Sequence, residues 1–156
     1  MSGFVAGGTG TKAPGGHINT DPFWPPIDLD DLRGTLRIDA SVTPIRLETA
    51  TIAAVISVNR EFATWRRVKQ AEGYATLADV PAEQIEDKSE LVHLYQRAIY
   101  AATGAEICER YRSYDSTNSG NQNADELTPS IEELRRDQRW AVRDFLGIGR
   151  TTVELI

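Results

Sequence analysis

Hydrophobic positions recur at helical spacing along most of this chain and at strand spacing almost nowhere. From Pro44 to about Gln70 no residue breaks a helix, and Ile45, Ile52, Ile56, Phe62, Trp65 and Val68 return roughly to one side. Thr43 can cap that helix, with Pro44 at its first position, and Gly73 lies just past its end. At a rise of about 1.5 Å per residue it is expected to run for roughly 40 Å. A second long helix is predicted from Ser89, where Leu91, Leu94, Ala98, Ala101, Ala105 and Cys108 keep strict 3-4-3-4-3 spacing. That seam becomes small after its first turn. Alanines there, with Gly104 beside them, let neighbouring helices approach closely and mark this as the central packing helix.

Shorter elements complete the pattern. Asp28 can cap a helix reaching about Ile38. Residues 73–87 form a connection that contains Pro81 and has room for one helical turn. Thr128-Pro129 predicts the start of a last helix with Ile131, Leu134, Ala141, Val142 and Phe145 on one stripe, ended by Gly147 and Gly149. Residues 1–20 are glycine-rich and hold almost no large apolar side chains, so they cannot offset the entropy of ordering them. Asp21-Pro22-Phe23-Trp24-Pro25-Pro26-Ile27 reads as a stiff, proline-held strap with aromatic anchors. Residues 151–156 alternate weakly and predict an extended tail. No repeat and no convincing sheet emerges. The expected fold is all-α: a small helical bundle with two long helices over 28–147, an extended N-terminal arm over 1–27 and an extended C-terminal tail over 148–156.

Composition narrows the function classes. A chain of 156 residues, 40% hydrophobic and 26% charged, supports one compact domain with residues left for arms. A net charge of −6 argues against a duplex-DNA reader that neutralises phosphates. It suits a surface that DNA slides past. One cysteine excludes an intrachain disulfide framework. The N-terminus has no secretory pattern, and the longest apolar run, Ile52 to Val58, is too short for a bilayer, so a soluble intracellular protein is expected.

Candidate chemistry is sparse. Gly7-Gly8-Thr9-Gly10-Thr11-Lys12 lacks the spacing and the strand–helix setting of a phosphate loop. The segment 115–126 places Asp115, Thr117, Ser119, Gly120, Asn121, Asn123 and Glu126 at EF-hand positions, but only the first and last ligand positions are strong carboxylates and no second copy pairs with it. It defines an alternative reading, a small helical binding module with a calcium-responsive loop, set against a flexible polar connector. His17 and His93 have no partners at metal spacing. Cys108, on the alanine seam, reads as a buried, inert thiol. The carboxylates alternate with Arg and Lys as on solvated helix faces. No enzyme, cofactor or metal is expected.

Surface for gripping another protein is concentrated between Glu109 and Phe145. Glu132 and Arg136 are a helical i,i+4 pair, and Arg135, Arg139 and Arg143 form a basic line. That line is either a solvated face paired with the chain's own acids or an inter-subunit contact with an acidic neighbour. Phe23 and Trp24 either cover the bundle or anchor the arm on an adjacent subunit.

Six segments, in order, carry a family resemblance: Phe23-Trp24-Pro25-Pro26-Ile27-Asp28, Thr43-Pro44-Ile45-Arg46-Leu47, Leu77-Ala78-Asp79-Val80-Pro81-Ala82, Glu109-Arg110-Tyr111-Arg112, Ser130-Ile131-Glu132-Glu133-Leu134-Arg135-Arg136-Asp137 and Arg139-Trp140-Ala141-Val142. From about residue 22 to the C-terminus the chain resembles the head completion (stabilisation) proteins of temperate contractile-tailed phages, the L protein family. The glycine-rich first 20 residues and the Asn/Ser loop at 115–126 depart from that pattern. The resemblance implies a helical, non-enzymatic adaptor at the virion neck. It would form a ring, a dodecamer, beneath the portal protein after packaging and help retain DNA that passes through without sequence-specific binding. It would also present a surface to a downstream neck or tail-completion protein, with no membrane partner. Within that picture the tail Arg150, Thr151, Thr152, Val153, Glu154, Leu155, Ile156 is expected to dock on the portal, and Phe23, Trp24, Arg135, Arg139 and Arg143 to make inter-subunit contacts.

Overall fold

The computed structural model describes residues 16–111 and 130–150. Among these lie five α-helices: α1 (Leu29–Thr35), α2 (Pro44–Glu61), α3 (Ala63–Ala71), α4 (Glu90–Tyr111) and α5 (Ile131–Phe145), with one 3₁₀ turn at Leu77–Asp79. Two antiparallel ladders join them: β1 (His17–Ile18) with β2 (Ile27–Asp28), and β3 (Gln84–Ile85) with β4 (Lys88–Ser89). The body is therefore mostly, not purely, helical. Strands of two residues are too short for alternation to register in sequence. The turn of the second hairpin uses Glu86 and Asp87 at φ 51° and 57°, positions where Asn-Gly would have announced it.

Helix ends follow local chemistry. The Asp28 carboxylate accepts from the Asp30 and Asp31 amides, and Thr43 caps α2 with Pro44 behind it. Ser130, bonded reciprocally with Glu133 in a capping box, caps the described start of α5; Thr128 and Pro129 lie outside the described residues. Gly73 and Gly147 take positive φ where α3 and α5 end. The expected single helix from Pro44 to Gln70 is interrupted at Phe62. Bonds from Phe62 N to Val58 O and from Arg66 N to Phe62 O carry the ladder across that junction. No glycine or proline causes the break; it falls where the Phe62 ring enters the core.

Helix α4 is the centre, packed along both α2 and α5. Its seam alanines Ala98, Ala101 and Ala105 are buried as predicted, and Ala102 beside them is buried too. The inward face of α2, however, is Leu47, Ala50, Thr51, Ala54, Val55 and Val58. Ile45, Ile52 and Ile56, expected on the buried side, are 78%, 42% and 49% exposed, and Val68 is exposed as well. Both faces of α2 are apolar, so periodicity could not choose between them. Small side chains on the Ala50/Ala54 face allow α2 to approach the equally small α4.

The strap closes the core. Ile18, Phe23, Trp24 and Ile27 are buried, and the ring of Trp24 stacks on Tyr95 at 4.7 Å with an interplanar angle of 3°. Phe23 meets Trp24 edge-on at 4.9 Å, and Phe62 stacks on Phe145 at 4.0 Å, so aromatic rings from the strap, the α2–α3 junction, α4 and α5 form one cluster. The Leu77 amide donates to Phe23 O at 2.8 Å and pins the strap's backbone. The Tyr95 hydroxyl donates to Asn59 at 2.9 Å, and burial pushes that phenol above its ordinary range, so it stays a neutral donor.

Candidate functional site

The outer face of α5 and the chain beyond it hold most of the residues singled out by sequence, and the structure separates their roles. Arg135 reaches back to α4. Its guanidinium bonds Glu109 at 2.7 Å and 3.0 Å and Glu106 at 3.4 Å, and it also donates to Gln138. Arg143 donates to the carbonyl of Gly149. Arg139 is exposed and makes no ion pair with a described residue. The expected basic line is therefore an intramolecular brace at Arg135, a tie to the chain end at Arg143, and a solvent-facing cation at Arg139.

The brace has a defined pH response. Hydrogen bonding to Arg135 holds the Glu109 carboxyl below its ordinary range, and partial burial opposes this only in part. A lowered folded-state pKa means that the stabilisation is complete above about 4.3, the usual glutamate value, and is lost as pH falls through the lower folded value. The Glu109 side chain is 40% exposed, so water screens the pair. Glu109→Gln is expected to cost only about 0.5 kcal/mol at neutral pH. In urea titrations the gap between wild type and variant should close as pH falls through that lowered value; a gap that persists once the carboxyl is protonated would assign the loss to packing.

Phe23 and Trp24 are buried within their own chain, packed on each other and on Tyr95, which is the arrangement of the cover-the-bundle reading. Arg136 does not pair with Glu132. It lies 3.7 Å from Asp137, with its guanidinium 4.8 Å from the centre of the Trp140 ring. Arg150 lies over the same ring at 4.7 Å and pairs with Asp144 through two nitrogens. Sequence reasoning passed over Trp140, although its i,i+4 spacing from Arg136 was a readable signal.

The remaining described candidates make ordinary surface and core contacts. His17 lies 3.4 Å from Asp28 at the surface, and a His93 ring nitrogen is 2.9 Å from the Ile85 carbonyl oxygen. Cys108 is half-buried and lines a cavity of about 340 Å³ with Leu36, Ile38, Ile107 and Leu134. Among the described residues no cluster of three or more His, Cys, Asp or Glu could hold a metal ion. The 115–126 segment and residues 151–156 lie outside the described residues. No described helix is long and apolar enough to cross a membrane. What the described surface offers instead is an apolar stripe, Ile45, Ile52 and Ile56, on the face of α2 turned away from the core. Between its ends lies a shallow groove lined by Ile18, Glu48, Ile52, Val55, Ile56 and Asn59.

Comparison with known proteins bears on this surface. A family model described as "Phage head completion protein (GPL)" matches residues 18–156. The chain is 39% identical over 134 residues to the head completion/stabilization protein of Escherichia phage P2, an alignment that covers 86% of this chain and 79% of that relative. No solved structure matches.

Proposed function

The chain belongs to the phage head completion protein family, a family of structural proteins of the phage head and not of enzymes, and on that premise we propose that it is a ring-forming adaptor between portal and neck. In this reading copies associate side by side beneath the portal, stabilise the DNA-filled head and offer the next neck or tail component its attachment surface. The observation that carries it is the isoleucine stripe. The bundle already buries a complete aromatic and aliphatic core, and yet Ile45, Ile52 and Ile56 stand in water on one line of α2. Lateral contacts in a ring are heterologous and need an apolar centre with a polar rim. The stripe supplies the first, and exposed residues such as Arg139 are left for rims. The stripe is the proposed apolar lateral contact, and Arg139, exposed on α5, keeps its proposed inter-subunit role. Residues 151–156 keep their proposed role on the portal.

The test uses the double variant Ile52→Asp with Ile56→Asp. Both positions are exposed, so its helical circular dichroism and melting temperature should stay close to wild type. Its head-bound copy number should fall several-fold, because two carboxylates would have to be desolvated at the contact. A normal copy number on filled heads would sink the lateral role of this face.

A further inference from the structure

We infer that Arg136, Trp140 and Asp144 form a latch that fixes the root of the C-terminal hexapeptide Thr151–Ile156, so that it is offered from one point on α5 to a partner protein that takes an extended apolar strand. The inference rests on the proposed docking of residues 151–156 and deepens it.

In sequence, Gly147 and Gly149 mark only the end of the last helix. The structure shows a chain held at every residue from 147 to 150. Gly147, at φ +68°, turns the backbone so that its amide donates to Asp144 O at 3.1 Å and the Ile148 amide to Arg143 O at 2.9 Å. The Gly149 carbonyl accepts from the Arg143 guanidinium. Arg150 is held twice, by the two-point pair with Asp144 and by the Trp140 ring beneath it. Two guanidiniums over one indole would repel each other if left alone. Here each has its own carboxylate, Asp137 for Arg136 and Asp144 for Arg150. Arg97 of α4, 4.0 Å from Asp144, ties the latch to the central helix.

The consequence is pre-organisation. A segment that leaves from a flexible root loses the freedom of its linker when it docks; one that leaves from a fixed root has already lost it. Beyond Arg150 the apolar residues Val153 and Leu155 alternate with Thr152 and Glu154, and Ile156 adds a further apolar side chain. Such a pattern fits an apolar groove or a sheet edge that accepts alternate side chains.

Trypsin tests the latch on the full chain. Cleavage after Arg150 requires its guanidinium to leave Asp144 and Trp140 and enter the protease, so release of the hexapeptide tracks the open population. Mass spectrometry should show slow release from wild type, several-fold faster release from Asp144→Asn and from Trp140→Ala, and near wild-type release from Trp140→Phe, which keeps an aromatic face. Melting temperatures of the variants guard against global unfolding as the cause. Equal release rates in all four proteins overturn the latch. Capture by portal complexes is the second readout. Asp144→Asn, with its tail intact, should be captured more weakly than wild type, and a chain lacking 151–156 should not be captured. Faster release with unchanged capture of Asp144→Asn overturns the positioning role. Normal capture of the truncated chain overturns the docking reading while leaving the latch standing.

Discussion

Replacing Trp24 with alanine is expected to lower the stability of this protein by ~3–5 kcal/mol, a shift of roughly 10–20 °C in melting temperature. Trp24 is 3% exposed and stands at the centre of the aromatic cluster, stacked on Tyr95 and within 5.8 Å of the Phe62 ring and 6.2 Å of the Phe145 ring. Alanine would leave a void bordered by side chains from the α2–α3 junction, α4 and α5. Their positions are fixed by other contacts, so the site can collapse only in part. The control is Trp24→Phe. The indole Nε1 is buried with no hydrogen-bond partner, so phenylalanine gives up no hydrogen bond, keeps a stacking face and should cost much less. Urea titration of the isolated protein measures both. The pair also separates the two roles open to Trp24 from sequence. An inter-subunit anchor would leave the isolated chain at full stability and weaken assembly alone, and a fully stable Trp24→Ala protein would restore that role.

Gly104→Leu is expected to cost about 1–3 kcal/mol or more, through the opposite defect, overpacking. A Cβ at residue 104 would sit 3.1 Å from Leu134 Cδ2, 3.4 Å from its Cδ1 and 3.5 Å from Leu36 Cδ2. One methyl group forces Leu134 to give by a few tenths of an ångström. It also returns roughly 0.5–1 kcal/mol of helix propensity, so Gly104→Ala should lie near wild type. Three further carbons must either turn into the adjoining cavity, which Gly104 lines with Leu36 and Leu134, or displace Leu134 and with it move α5 off α4. That movement would strain the Arg135 brace to Glu106 and Glu109 and carry the latch residues with it. Gly104→Leu should therefore show a lower urea midpoint together with faster tryptic release after Arg150. A midpoint equal to that of Gly104→Ala would mean that the close approach of α4 and α5 at this point does not hold the bundle.

Arg135 and Glu109 show why the arginine line could be seen in the sequence but not understood there. The spacing of Arg135, Arg139 and Arg143 places them on one side of a helix and says nothing about what stands opposite. The partners of Arg135 come from α4, 26 and 29 residues earlier. One partner of Arg143 is a backbone carbonyl, which no side-chain pattern reveals. Trp140 was legible in principle, because Arg136 precedes it by one helical turn; Arg150, the other cation over its ring, arrives only through the turn at Gly147.

What the chain determines by itself is local. Asp28, Thr43, Gly73 and Gly147 start and stop helices through bonds and backbone angles within a few residues of themselves, so the element order was readable along with the central alanine-lined helix. The ordered segments that carry the family resemblance are local in the same sense. The tertiary structure decided everything that depends on a choice between equivalent faces or distant partners. Helix α2 is apolar on both sides, and only packing against a small-residue α4 turned Ala50 and Ala54 inward and left Ile45, Ile52 and Ile56 in water. The strap could have reached a neighbour or its own body, and the slot between Tyr95, Phe62 and Phe145 took Trp24 because burying an indole there completes the core. Burial is a property of the assembled surface, and it was the assembly of these helices that left the α2 isoleucines without cover.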